Sequence, residues 1–493
     1  MRRRAPLAAL LVLLAAAALA QSSPEEQARG LLEDGRSYWA KKQYKQALDN
    51  FNTIVTGFAQ TDSVDDALLE IGRYYLEVEG NTDKARDAFD QVAKRYPQSD
   101  GAPGAYYFLG ILTMNRALTP AELDDALAQF NRVQRLYPRS DWVPRALYAA
   151  GLAQRKAGRL AEAVEAERRV SLEHPTSDVA DAAQFQIGHC LALMGEPKQA
   201  MEEFQQVRNR FAQGSWAEPA LYRTTALYRL YGGARPAFSL DASFSVAAGD
   251  VLKDVRALLM TPARTLWIAS DKVKSAIPFQ PDGSKGPGLA AEDLRSLALS
   301  PKDEIVVAAR SAVRIGQRDI KSFAAPGDKP GVLETLDKIE AAAVTKSGML
   351  LVADAKRKHV FKYDPQFNFV GSFPDAKERD VRRMLVDGEG AVYLLDDDDK
   401  SVRAFDEAGK SLRVVLAKGA GYELKHPVDI AVDPFRNLYV ADADLGVLIF
   451  SASGQLLTTL TSSELRRPAA LTLDAEGAVL VYDERAERVL RFK

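Results

Sequence analysis

The chain has 493 residues, with 65 Lys and Arg against 67 Asp and Glu and a formal net charge of −2, so there is no overall basic field to attract nucleic acid and that partner class is excluded. An apolar content of 47% supports packed cores, and the length allows two or three domains. The single cysteine, Cys190, has no partner for an internal disulfide, so burial must stabilise the fold in any oxidising compartment.

Met1 is followed by Arg2, Arg3 and Arg4 and then by a run of Leu, Val and Ala ending in Ala18-Leu19-Ala20. This is the pattern of a signal peptide over 1–20 with small residues at its cleavage site, which predicts cleavage near Ala20 and a periplasmic or secreted mature chain. The apolar run is shorter than the ~20 residues of a spanning helix, which argues against a stable membrane span. Gln21 stands where a lipid anchor would need a cysteine.

From Ala28 to about Tyr231 one pattern repeats. Gly35, Gly72, Gly110, Gly151 and Gly188 are followed by Ala47, Ala85, Ala126, Ala163 and Ala200, and Phe51, Phe89, Phe130 and Phe204 come one helical turn after their Ala. Glu167 breaks the series in the fourth unit. Small residues let paired helices approach, and the aromatic fills the space between neighbouring pairs. The units end in "YPQS", "YPRS" and "HPTS", where Pro97, Pro138 and Pro175 stop one helix before the next. The series resembles the tetratricopeptide repeat over five units, which implies an α-solenoid over 21–231. The last segment, "EPALYRTTALYRLY", is expected to cap its open end.

In that family the first helix of each unit lines a groove that holds peptides or partner helices. Carried over from each Gly, the groove residues are Arg36, Trp39, Leu69, Arg73, Tyr107, Met114, Tyr148, Arg155, Lys156, Phe185 and His189. Arg145, Tyr148, Leu152 and Arg155 also share one helix face by their three- and four-residue steps alone. An aromatic groove with a basic bias suits an acidic or carboxyl-terminal peptide with apolar anchors. The same side chains would serve equally as packing between repeats, and the sequence leaves both readings open. Cys190, beside His189 in "IGHCLALMG", reads as a buried small hydrophobe.

After "YGGARP" the period changes, and a Gly/Pro linker is placed at 232–242. Six units such as "MLVDGEGAVYLLD", "DIAVDPFRNLYVA" and "LTLDAEGAVLVYD" each carry a strand, a tight turn and a second strand rich in Val and Leu. Their equivalent positions, Ala269, Ala308, Ala353, Leu395, Ala441 and Tyr482, recur at roughly 40-residue intervals, the signature of propeller blades. The unit "HPVDIAVDPFRNLYVAD" resembles an NHL-type blade, which implies a six-bladed β-propeller over 243–493. "RVLRFK" reads as the third strand of the sixth blade, and "SFSVA" (Ser243–Ala247) is expected to supply the fourth and close the ring.

Asp442 and Asp444 in "NLYVADADLGVLIF", and the run Asp396 to Asp399, fall in a turn that recurs between the second and third strands of the blades. Neither spacing assigns a metal, and a solvated turn is the expectation. Arg256, Arg295 and Arg382 stand at the start of innermost strands and are expected at one mouth of the channel. Basic turns with Lys272, Lys274, Lys356, Arg357 and Lys358, and acidic ones with Asp396, Asp397, Asp398, Asp442 and Asp444, would make one face electrically two-sided. Such a face either docks a protein or an anionic envelope polymer or consists of Arg–Asp pairs that tie the blades together.

Lactonase and amidating-lyase propellers hold a metal with His, Glu, Asn and Asp at the channel mouth; here only His359 and His426 fall in this half, without a constellation around them. The expectation is therefore a non-catalytic cell-envelope adaptor without a cofactor, with a metal-dependent hydrolase or lyase carrying a recruitment domain as the alternative.

Overall fold

The computed structural model describes residues 23–117, 119–233, 236, 238–246, 249–320, 324–326, 333–336, 338–376, 379–417 and 422–493. The signal peptide read at 1–20 lies outside them. Eleven α-helices come first among the described residues: α1 Pro24–Ala40, α2 Tyr44–Gly57, α3 Ser63–Glu77, α4 Thr82–Arg95, α5 Ala102–Arg116, α6 Pro120–Leu136, α7 Val143–Lys156, α8 Leu160–Glu173, α9 Ala180–Leu193, α10 Pro197–Arg210 and α11 Ala217–Tyr231. A six-bladed β-propeller follows.

Local signals set the helix ends. Ser23 and Glu26 form a capping box ahead of Pro24, and Thr119 and Glu122 form another ahead of Pro120, each satisfying two backbone donors that the first turn leaves open. The helices that precede Pro97, Pro138 and Pro175 stop at Arg95, Leu136 and Glu173, as expected of a proline that cannot extend the helix. The repeated Gly has a steric cause. A Cβ built on Gly35, Gly72 or Gly110 would lie 2.4 Å from Cε1 of Phe51, Phe89 or Phe130, so each ring is seated directly on glycine backbone. These rings are fully buried, as are Ala47, Ala85 and Ala126.

The chain divides into two compact units, residues 1–190 and 191–493. The division falls inside α9, upstream of the linker placed at 232–242, because the last two helices share a core with the propeller. Leu230 and Tyr231 pack with Tyr439, Val479 and Val481. A Cβ on Gly477 would meet Ala226 Cβ at 2.6 Å. The Tyr231 hydroxyl donates to Asn437 Oδ1 at 2.7 Å, and Arg229 donates to the Glu476 carbonyl. The segment expected to cap a helical stack is helical and is welded to blades five and six.

Each blade is an antiparallel sheet in simple strand order. The blades are 255–290, 294–320, 339–372, 381–416, 427–460 and 468–492, and their first strands touch in a ring, with blade six returning to blade one. The equivalent positions Ala269 to Tyr482 all fall on second strands. One feature was not legible in the repeat spacing: Ala324–Pro326 pairs with Leu333–Thr335 between blades two and three.

The turn after each first strand uses one device throughout. Asp387, Asp433, Asp474 and Ser300 accept the N–H groups two and four residues on, and Thr261 and Thr345 accept the fourth, as short polar side chains do in turns. The third residue after each acceptor has positive φ; it is Gly348, Gly390 and Gly477 in three blades and Arg264, Asp303 and Arg436 in the others.

Ring closure corrects the expectation. Blade six contributes three strands, and the partner of its third is Ser239–Asp241, not Ser243–Ala247. Leu240 bridges Phe492, Ser239 and Lys493 exchange backbone bonds at 2.9 and 3.0 Å, and Asp241 N–H donates to the Arg491 carbonyl at 2.8 Å. Lys493 and Arg491 reach the Asp241 carboxylate at 2.7 and 3.4 Å, and hydrogen bonds from Lys493 and Ser243 hold that carboxyl well below the usual range. Ala247 lies outside the described residues.

Candidate functional site

In every blade the first strand carries a β-bulge near its start, between Val255 and Ala257, Leu294 and Ser296, Ile339 and Ala341, Val381 and Arg383, Pro427 and Asp429, and Pro468 and Ala470. A bulge leaves one residue outside the ladder and re-aims its side chain. The residues so released are Arg256, Arg295, Glu340, Arg382, Val428 and Ala469. The first four line one cavity of about 240 Å³, together with Lys338, Asp380, Arg383 and Asp397. The three mouth arginines picked from the sequence are thus brought together.

Their partners differ. Arg256 lies 3.0 Å from Asp271 and 2.9 Å from Asp254, and Arg382 lies 3.1 Å from Asp397. Arg295 stands 3.9 Å from Glu340, and its buried Nε has no acceptor among the described residues.

Arg383, which the sequence reading missed, floors this cavity. Its guanidinium lies 3.3 Å from Asp429 of blade five and donates to the Arg256 carbonyl of blade one, on the opposite side of the ring, at 2.9 Å. Asp429 also accepts the N–H groups of Ile430 and Leu471. Burial pushes the Asp429 carboxyl up and the Arg383 guanidinium down, so each is a costly charge that the other offsets. Below Arg383 lies a second cavity of about 300 Å³, lined by the first strands of all six blades. The signal was in the register: the other blades place Ala257, Ser296, Ala341 and Ala470 at this position, so two charged residues in adjacent blades stand where small ones belong.

The recurring Asp at the end of the second strand is a buried acceptor, which corrects the expectation of a solvated turn at Asp396 and Asp442, while Asp397, Asp398 and Asp444 are exposed. Asp354, Asp396, Asp442 and Asp483 are buried. Asp442 takes N–H groups from Lys425, His426, Asp444 and Leu445, stitching the loop that precedes the first strand to the turn that follows the second. Asp483 does the same with Arg466, Arg467 and Ala486. In the Asp396–Asp399 run each carboxylate has a cation: Arg379 bridges Asp396 and Asp399, Arg382 meets Asp397 and Lys358 meets Asp398. His359 contacts the Arg357 carbonyl and stacks on Phe361, and His426 meets the exposed Asp444.

The predicted groove residues separate into three sets. Leu69, Phe185 and His189 are buried, which corrects their placement on an open surface: an apolar or aromatic side chain at helical spacing went into the core. Arg36, Arg73 and Lys156 are engaged within the repeats. Arg36 pairs with Asp66 and Glu70 at 3.1 and 3.0 Å, and Arg73 pairs with Glu70 and Glu77 and lies 5.0 Å over Trp39. Lys156 donates to the carbonyls of Met114 and Ala117, closing the end of α5. Arg145 likewise forks onto Asp178 at 2.9 and 2.6 Å. The half-buried remainder is Trp39, Tyr107, Met114, Tyr148 and Arg155. Tyr107 packs 5.3 Å from Trp142. Burial, with the Glu167 carboxylate, pushes the Tyr148 hydroxyl up to about 12.

Among the described residues one group of three possible metal ligands occurs, Asp65, Asp66 and Asp100, within 4.8 Å of one another. It lies in the helical region, where Asp65 accepts the Gly101 N–H and Arg36 meets Asp66.

The tetratricopeptide repeat family model matches residues 66–99 and 182–214. No curated protein sequence matches the chain. Among solved structures, virginiamycin B lyase from Staphylococcus aureus is 12% identical over 52% of this chain and 85% of its own, at a TM-score of 0.39. A gluconolactonase from Xanthomonas campestris is 15% identical over 52% and 98%, at 0.38. The WD40 β-propeller domain of Doa1 is 16% identical over 52% and 97%, at 0.37. Likenesses at this level transfer no chemistry to this chain. The fold defines a class, helical repeats followed by a six-bladed propeller. Within it, this chain carries tetratricopeptide repeats, and among its described residues no helix is long and apolar enough to cross a membrane.

Proposed function

We propose that the protein is a non-catalytic adaptor of the cell envelope, which holds a protein segment on the helical repeats and offers the propeller face to a second partner. The observation that supports it most is the half-buried set Tyr107, Met114, Tyr148 and Arg155, which joins aromatic area to an Arg fork on first helices of successive repeats and suits an acidic or carboxyl-terminal segment. The periplasmic or secreted location rests on the Arg-then-apolar leader at 1–20.

Photo-crosslinking in cells tests this reading. A crosslinker replacing Leu152, on the same helix face as Tyr148 and Arg155, should capture a discrete partner. One replacing Leu172, which is 76% exposed on α8, should not. Equal capture at both positions, or none at Leu152, would overturn the groove as the docking surface.

A further inference from the structure

From the mouth cavity we infer that the propeller binds a small zwitterion, an α-amino acid or a dipeptide. This goes beyond the adaptor reading and does not depend on the groove. The cavity of about 240 Å³ falls below the ~300–1,000 Å³ of sites that enclose drug-sized ligands. Arg383, reaching from blade four to the Arg256 carbonyl at 2.9 Å, blocks passage into the channel, so an extended chain cannot thread it.

The wall carries both signs. Arg256, Arg295 and Arg382 are bulge residues that the strand ladder does not use; Arg256 and Arg382 already pair with Asp271, Asp254 and Asp397, and the planar fork of Arg295 matches a carboxylate. Arg295 is the least satisfied, 3.9 Å from Glu340 and with a buried Nε that has no acceptor among the described residues. Glu340 and Asp380 stand on the same wall. They offer acceptors to an ammonium, and a neutral ligand would leave the Arg295 fork unmatched. A molecule with a carboxylate and an ammonium a few bonds apart meets both demands.

Calorimetric titration of the full chain with glycine, L-alanine and glycylglycine, with acetate and methylammonium as singly charged controls, tests this. At least one zwitterion should bind saturably and at least about tenfold tighter than either control. R295Q should weaken it about tenfold, and E340Q should weaken the zwitterion while leaving acetate no weaker. If R295Q does not fold, R295K keeps the charge without the fork and should show the same loss. No binding by any of the three zwitterions, binding unchanged in the Arg295 variant, or acetate binding as tightly as the zwitterions would each overturn the inference.

Discussion

A Cβ built on Gly151 would lie 2.4 Å from Glu167 Oε1, so a carboxylate occupies the seat that Phe51, Phe89 and Phe130 fill against Gly35, Gly72 and Gly110. Glu167 is 1% exposed, and burial pushes its carboxyl well above the usual range despite Arg155 nearby. Restoring the repeat with Glu167→Phe should therefore raise stability, by about 1–3 kcal/mol, the usual cost of a poorly satisfied buried polar group. Urea unfolding of the two chains measures this, and a loss of stability would mean that Tyr148 and Arg155 need the carboxyl.

The glycine seats give a paired test. Gly72→Ala forces the Phe89 ring to move and should cost about 1–3 kcal/mol. Gly30→Ala, in mid-α1 with nothing within 4 Å of the added carbon, should instead gain up to about 1 kcal/mol. Similar effects of both substitutions on the unfolding midpoint would contradict the packing account.

Removing the crossbar strands a charge. Arg383→Met leaves Asp429 buried without its cation and should cost about 3–5 kcal/mol. Adding Asp429→Asn to that variant should recover part of the loss, because it removes the stranded charge while its one amide oxygen still accepts either the Ile430 or the Leu471 N–H, which the carboxylate takes on separate oxygens. A double variant no better than the single would show that the guanidinium acts mainly through the Arg256 carbonyl.

Acid should favour the seam between α11 and blade five. Burial pushes the Asp433 carboxyl from an ordinary 3.8 up to about 6, with Asn437, Phe435 and Arg223 opposing. Its folded value is above its unfolded one, so the protonated folded state is favoured: the contribution is complete below pH about 4 and is lost as pH rises through about 6. The stability of the wild type relative to Asp433→Asn should fall between those values and stay flat above them. A difference that is constant across the range would refute the assignment.

Ring closure can be located by proline. Asp241→Pro removes the N–H that donates to the Arg491 carbonyl and should cost at least about 1 kcal/mol. Ser245→Pro, at an exposed position in the segment first expected to close the ring, should cost much less. The opposite order in thermal unfolding would return closure to Ser243–Ala247.

The two architectures were legible because each rests on a period. Gly35 to Gly188 and Ala269 to Tyr482 mark every unit, and the bulge arginines could be found by counting back from the latter. What escaped has no period. Arg383 and Asp429 are single departures from a small-residue position, and they stand out only once the blades are in register. Leu69 and Phe185 could not be divided between groove and core because both surfaces of a first helix use the same residue types. The docking of α11 depends on Ala226 meeting Gly477 from another repeat system, a match that neither series contains by itself.

The bulge that opens each first strand also bears on how such a chain can change. Four of its six released residues line the mouth, so a substitution at Arg256, Arg295, Glu340 or Arg382 alters the mouth without disturbing the ladder beneath, whereas Val428 and Ala469 pack against apolar cores. The ring presents four addressable positions on one frame, two of which, Arg295 and Glu340, face each other. A designer could rewrite the mouth one blade at a time.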